Sequence, residues 1–303
     1  RRRAPHDGFG LAELELIDQA GRNMALVSNG GMVFVSSTNY GFQNRRQTRQ
    51  DLWPLMYDLG VKWVRTGYWT DTTTWFYVEK TPGVMKLDPV TKDALIEATD
   101  YGVTVAQCLY TMPMFRGAPV YQNSYPGVDH GNVFRSYHTI HNHPKTREQF
   151  DAWREYVRFM IRELGEYVRY WEIWNEYFDV SSSPDWPETD EPYDDYTELL
   201  RVASEEIRGA NPDHKIIWGA MVPFLVPRIF EALLSRGAGQ LGDFVAWHPY
   251  QPGRPEVLAP QRRDVALPDY PEITTSQQML DKGREIAARH DYRGGFIANE
   301  YWH

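Results

Sequence analysis

From about residue 31 onward the sequence alternates between short apolar runs and longer amphipathic ones, and this alternation constrains the fold more than any other feature. GMVFVSS (31–37), VKWVRTGYW (61–69), VTVAQCLYTMP (103–113), VRYWEIWNE (168–176), HKIIWGAMVP (214–223), DFVAWHPYQP (243–252) and GFIANEYWH (295–303) read as seven strands. Helix signals fill the intervals 45–60, 88–102, 146–167, 194–212, 225–239 and 274–294. The clearest is 146–167, where Phe150, Trp153, Val157, Met160, Ile161 and Leu164 recur at helical spacing. Strand and helix in strict alternation imply parallel strands joined by crossover helices.

Two architectures satisfy that pattern, a doubly wound open sheet and a closed (β/α)8 TIM barrel. An open sheet of the nucleotide-binding kind carries a glycine-rich phosphate turn after its first strand. No G-x-G-x-x-G or P-loop pattern follows any strand here. Polar and aromatic residues gather instead at the carboxyl ends of several strands, the rim on which a barrel builds its active site. The expected fold is therefore α/β, a (β/α)8 barrel over residues 31–303 that lacks its eighth strand and helix in this chain. Residues 1–30, where LELID and MALVS flank the turn signal QAGRN, are expected to form an extended hairpin segment. The gap between the seventh strand and the first is expected to be filled by a segment outside this chain, by that hairpin, or by a partner molecule, because open strand edges leave backbone groups unpaired.

Composition removes several function classes. The net charge of −9 argues against nucleic acid as a partner, which would require a basic face. Cys108 is the only cysteine, so neither an intrachain disulfide nor a cysteine metal cluster can form, and neither a secreted nor a cytoplasmic location follows from it. No apolar run approaches the roughly 20 residues of a membrane span, and no signal peptide is evident. With 11 Trp and 19 Tyr the chain is rich in flat faces with polar tips, which pack cores and also stack on sugar rings.

The fourth strand ends WEIWNE, placing Asn175 and Glu176 at its exit, and the seventh ends in Asn299 and Glu300. Two carboxylates at the exits of opposite strands would face each other across a barrel mouth. Hydrolysis of a glycosidic bond needs such a pair, one group to protonate the leaving oxygen and one to attack the anomeric carbon or activate water. That chemistry requires neither cofactor nor metal. His248 and Tyr250 alternate along the sixth strand and so reach one face. Asn175 and Glu176 are adjacent, so their joint use requires the strand to bend or end there.

These residues resemble the retaining glycosidases of clan A, the 4/7 superfamily of (β/α)8 barrels. The likeness lies in Asn175-Glu176 closing strand four, Glu300 closing strand seven, His248-x-Tyr250 on strand six and Arg65 at the end of strand two. EIWNE is most similar to the β-xylosidase/α-L-iduronidase family and its bacterial relatives, with cellulase-like and α-arabinofuranosidase branches as alternatives. The resemblance implies a retaining O-glycosidase acting on an oligo- or polysaccharide. Glu176 would be the acid/base, its pKa raised by surrounding aromatics. Glu300 would be the nucleophile, kept ionised by Arg65 and Tyr250, with the two carboxyl groups roughly 5 to 5.5 Å apart. Asn175 would bind the sugar's 2-hydroxyl, His248 would orient Glu176 or bind sugar, and Trp302, like Trp69 and Trp174, could stack on a sugar ring or pack the barrel. A non-catalytic carbohydrate-binding barrel, or an inactive fragment of such an enzyme, is the alternative from another class.

Other constellations carry less. His138, His141 and His143 lie in SYHTIHNHP without an H-E-x-x-H frame, and read as a polar loop rather than a zinc site. The acidic stretch DWPETDEPYDD lacks the glycine and periodicity of a calcium loop. No G-x-S-x-G nucleophile elbow occurs.

Overall fold

The computed structural model describes residues 33–35, 57–58, 60–67, 72–117, 143–180, 187–249 and 257–299. The strands are β1 (Val33–Val35), β2 (Val61–Thr66), β3 (Thr104–Leu109), β4 (Tyr170–Ile173), β5 (Phe178–Asp179), β6 (Lys215–Val222), β7 (Phe244–Trp247) and β8 (Gly295–Ala298). They form one parallel sheet in the order β1-β2-β3-β4-β6-β7-β8, with the two-residue β5 pairing with β6 off that path. Apart from the short β5, successive strands in sequence are neighbours in space, as a barrel requires and a doubly wound sheet forbids. All seven strands anticipated from the sequence are present, each shorter than its apolar run. The expected hairpin before residue 31 lies outside the described residues.

The helices are α1 (Trp75–Val78), α2 (Pro89–Asp100), α3 (Arg147–Leu164), α4 (Glu191–Ala210), α5 (Pro227–Ser235), α6 (Ala238–Leu241), α7 (Pro260–Ala266) and α8 (Ser276–Arg289). Starts and stops follow from local chemistry. Thr146 and Gln149 form a reciprocal capping box at the start of α3, and Thr275 and Gln278 do the same for α8. Asp88 accepts from the Val90 amide, and Pro89 occupies the first turn of α2, where its missing N–H costs nothing. On α3 the apolar face read from the sequence is the inner face. Trp153, Val157, Met160 and Leu164 are buried, and Phe150 and Ile161 pack at its margin.

Two apolar layers result. The larger lies between strands and helices and takes one face of the central strands, including Val64, Val105, Trp171, Ile216 and Val245. The smaller fills the barrel interior: Ala106, Ile217 and Ala246 cluster together, with Tyr170, Phe244 and Ile297 packed against them. The Trp63 ring meets Tyr170 edge-on at 4.4 Å. Side chains alternate along a strand, so two residues further on the same inner face returns. Those positions are Arg65 after Trp63, Glu172 after Tyr170, His248 after Ala246 and Asn299 after Ile297. A polar layer therefore sits on the apolar one at the carboxyl ends of the strands, where (β/α)8 barrels carry their sites.

Glycine shapes this end of the barrel at two places. Gly219 has φ +100° where β6 slips register against β7, and its amide donates to the Tyr196 hydroxyl at 2.6 Å. Gly67 follows β2 at φ +86°, and a Cβ there would stand 1.8 Å from Gln107 Nε2 and 2.2 Å from the Cys108 carbonyl oxygen. The second neighbour is backbone and cannot swing aside. Gly67→Ala is expected to destabilise the protein by ~2 kcal/mol or more, through left-handed strain plus overpacking. A thermal melt reads this directly, and an unchanged Tm would mean that β2 and β3 separate there without cost.

Candidate active site

The apolar strand that ends in an amide and a carboxylate does so by breaking its own geometry. β4 stops at Ile173, and Trp174 and Glu176 then adopt φ +68° and +50°. Left-handed backbone at a non-glycine residue costs of order 1–3 kcal/mol, so tertiary contacts must enforce it. They are present. The Trp174 amide donates to the Leu109 carbonyl at 3.0 Å. The Tyr196 hydroxyl donates to the Ile173 carbonyl at 3.1 Å, and burial raises the Tyr196 pKa, keeping that proton in place. The Trp174 indole is fully buried between Tyr110 and Trp153, at ring distances of 5.3 and 6.0 Å. Of the two roles open to Trp174, the structure therefore gives it packing.

The bend brings both adjacent side chains to the interior polar layer. Asn175 Oδ1 accepts from Arg65 Nη2 at 2.6 Å, and Glu176 Oε1 lies 3.1 Å from His248 Nδ1. Arg65 and His248 are inner-face residues on β2 and beyond β7, so Asn175 and Glu176 reach the same end of the barrel. Asn175, Arg65 and His248 are fully buried, and Glu176 is 6% exposed.

Arg65 does more than meet Asn175. Its Nε donates to Glu172 Oε2 at 2.5 Å and its Nη2 to Glu172 Oε1 at 3.0 Å. Asn299 Nδ2 donates to Glu172 Oε1 at 2.7 Å. The expected pairing of Arg65 with Glu300 falls outside the described residues; among the described residues Arg65 holds Glu172, which the sequence did not single out. An ionisable side chain inside an apolar strand was the available signal, since a buried charge demands a partner. Two polar atoms of this group have no partner among the described residues, Asn175 Nδ2 and Asn299 Oδ1. The first is a donor and the second an acceptor.

Four of the seven anticipated site residues thus converge: Arg65, Asn175, Glu176 and His248. Tyr250, Glu300 and Trp302 lie outside the described residues, as do Trp69, His138 and His141, so the separation of Glu176 and Glu300 has no value here. Asn299, at the exit of β8, is the last described residue and adjoins Glu300 in the chain. His143 packs against Tyr177 at a ring distance of 4.5 Å. Among the described residues no three His, Cys, Asp or Glu side chains form a group able to hold a metal ion, and no helix is long and apolar enough to cross a membrane.

No protein-family model and no curated protein matches the chain. Solved structures do. The chain is similar to a monomeric beta-xylosidase from Caulobacter crescentus CB15, at 19% identity and a TM-score of 0.53 over 89% of this chain and 52% of that one. It is similar to a family 39 glycoside hydrolase from Bacteroides cellulosilyticus WH2, at 18% identity and a TM-score of 0.52 over 89% and 55%. A GH39 enzyme from Xanthomonas axonopodis pv. citri gives 18% identity and a TM-score of 0.51 over 89% and 50%. The chain spans about half the length of these structures. At such identities the likeness is one of fold, and that fold is the (β/α)8 barrel.

Proposed function

We propose that the chain is the catalytic barrel of a retaining O-glycosidase acting on an oligo- or polysaccharide, with Glu176 as acid/base and Glu300 as nucleophile. The observation that carries this reading is the placement of Glu176. Its carboxyl group is almost enclosed at the barrel mouth, on strained backbone, against a buried imidazole. Strain of that kind persists where a precise side-chain position is needed. Solved structures similar to this chain include a beta-xylosidase and family 39 glycoside hydrolases, which makes β-xylosides the first substrates to try. Phe296 and Ile297 on the end strand β8 are half-buried and Ala298 is exposed, which supports a further segment or partner chain closing the barrel.

With the proton of His248 on Nδ1, the imidazole would donate to Glu176 Oε1, 3.1 Å away, and Oε2 would carry the transferable proton. In the first step the Glu300 carboxylate attacks the anomeric carbon, the glycosidic C–O bond breaks, and Glu176 protonates the departing oxygen. In the second step Glu176, now a carboxylate, takes a proton from water, whose oxygen displaces Glu300 and restores the original configuration. Asn175 Nδ2 is a buried donor with no partner among the described residues, and a sugar hydroxyl would supply an acceptor.

Aryl xyloside, arabinofuranoside, glucoside, galactoside and iduronide assayed with the full-length protein test the reading. Hydrolysis with retained configuration in the first-formed sugar is expected. Inversion would reassign Glu300 as a base, and binding without turnover would make the barrel a carbohydrate-binding module. Asn175→Ala is expected to lower kcat/KM by about 10²- to 10³-fold, the usual effect of removing a donor that acts in the transition state. The gap between variant and parent should shrink on a 2-deoxy glycoside, which has no hydroxyl for Asn175 to hold. An equal gap on both substrates would place Asn175 elsewhere.

A further inference from the structure

Glu172 belongs to no step of that mechanism, yet three hydrogen bonds of the polar layer end on it. It is fully buried on β4, four residues before Glu176 in the chain. One carboxylate receives Arg65 through two bonds and Asn299 through a third. Arg65 in turn holds Asn175. The resulting chain runs Asn175–Arg65–Glu172–Asn299, and its two ends are the residues that immediately precede Glu176 and Glu300.

Donor and acceptor chemistry makes this chain directional. A guanidinium only donates, so Asn175 must turn its oxygen to Arg65 and its NH2 away. A carboxylate only accepts, so Asn299 must turn its NH2 to Glu172 and its oxygen away. The two unpartnered atoms, Asn175 Nδ2 and Asn299 Oδ1, are the halves the network turns outward. If Glu172 were absent, Arg65 would lose the two bonds it makes there and Asn299 Nδ2 would lose its acceptor, so the shared carboxylate would no longer hold either amide in its sense.

We propose that Glu172 is a positioning residue whose single buried carboxylate, acting through Arg65 and Asn299, sets the orientation of both asparagines that precede the catalytic glutamates. The catalytic part of this proposal rests on the glycosidase reading; the orientational part does not. Glu172 ties the exits of β4 and β8 to each other across the barrel, so Asn175 and Asn299, which precede Glu176 and Glu300 in the chain, are registered by one group rather than by two independent loops.

Glu172→Asp tests this, because it keeps the charge for Arg65 while withdrawing the carboxylate by one methylene from Asn299. On aryl glycosides kcat is expected to fall about 10- to 100-fold with KM within about twofold, as for a small displacement of reacting groups. Asn299→Ala, which leaves the Arg65–Glu172 pair intact, should lower kcat in the same way and serves if Glu172→Asp does not fold. The side-chain NH2 resonances of Asn175 and Asn299, assigned by single substitution, read the lock without any turnover. Glu172→Asp should move both signals, and Asn299→Ala should move that of Asn175. If only the nearer signal moves, the shared lock is overturned. If both move while kcat stays at the parent value, the role is structural and the positioning proposal is overturned. A parent protein without glycosidase activity would sink the functional reading instead, and the resonances would still decide the lock.

Discussion

Glu300→Ala is expected to lose glycosidase turnover by several orders of magnitude on every substrate, whatever the leaving group. The nucleophile forms the covalent bond to the anomeric carbon, and a good leaving group does not replace it. Nor can Glu172 stand in. Both Glu172 oxygens are engaged, Oε1 by Arg65 and Asn299 and Oε2 by Arg65. Alanine leaves room where the carboxylate stood, and azide added to the assay can occupy it. Azide would then attack the anomeric carbon from the nucleophile's face as Glu176 protonates the departing oxygen. One displacement instead of two gives a glycosyl azide of inverted configuration. NMR of the anomeric proton reads the outcome. A retained azide from this variant would exchange the roles of the two glutamates, and a variant as active as its parent would remove Glu300 from the mechanism.

The parts of this molecule that were legible in the sequence are those set by local periodicity. The strand runs and the helical face of 146–167 follow from side-chain spacing alone, and the capped starts of α3 and α8 follow from Thr146 and Thr275. Arg65, Asn175, Glu176 and His248 stood out because polar residues at the exits of apolar strands fall on the rim where a barrel carries its site. Other features depended on contacts distant in sequence. Glu172 meets residues 107 and 127 positions away in the chain, and nothing near it in sequence names them. The left-handed turns at Trp174 and Glu176 have no local signature, because neither residue favours that conformation; Leu109, Tyr196 and the aromatic packing impose it. The helices α1 and α6, four residues each, are too short to show a period.

Glu176→Ala should behave differently from Glu300→Ala in a way that leaving-group chemistry exposes. Without the acid, hydrolysis of unactivated glycosides is expected to fall about 10²- to 10⁴-fold, the usual contribution of general acid–base catalysis. A dinitrophenyl glycoside needs little protonation, so Glu300 can still form the glycosyl-enzyme. That intermediate should accumulate, because no base remains to deprotonate water. One equivalent of dinitrophenol would appear in a burst, followed by a slow steady state, and intact-protein mass would show the attached sugar. Azide is already anionic and needs no base, so it should restore turnover by displacing Glu300 and give a glycosyl azide of retained configuration. Glu176→Gln separates the chemistry from the architecture, since its amide oxygen can still accept from His248 Nδ1 while the proton is gone. The glutamine variant should share the rate loss and keep the parent's Tm, but respond less to azide because the cavity is filled. Equal azide rescue of both variants would mean that the anion enters by a route unrelated to the Glu176 carboxylate. Unchanged hydrolysis in both would leave the strained turn after β4 as a structural device with no part in catalysis.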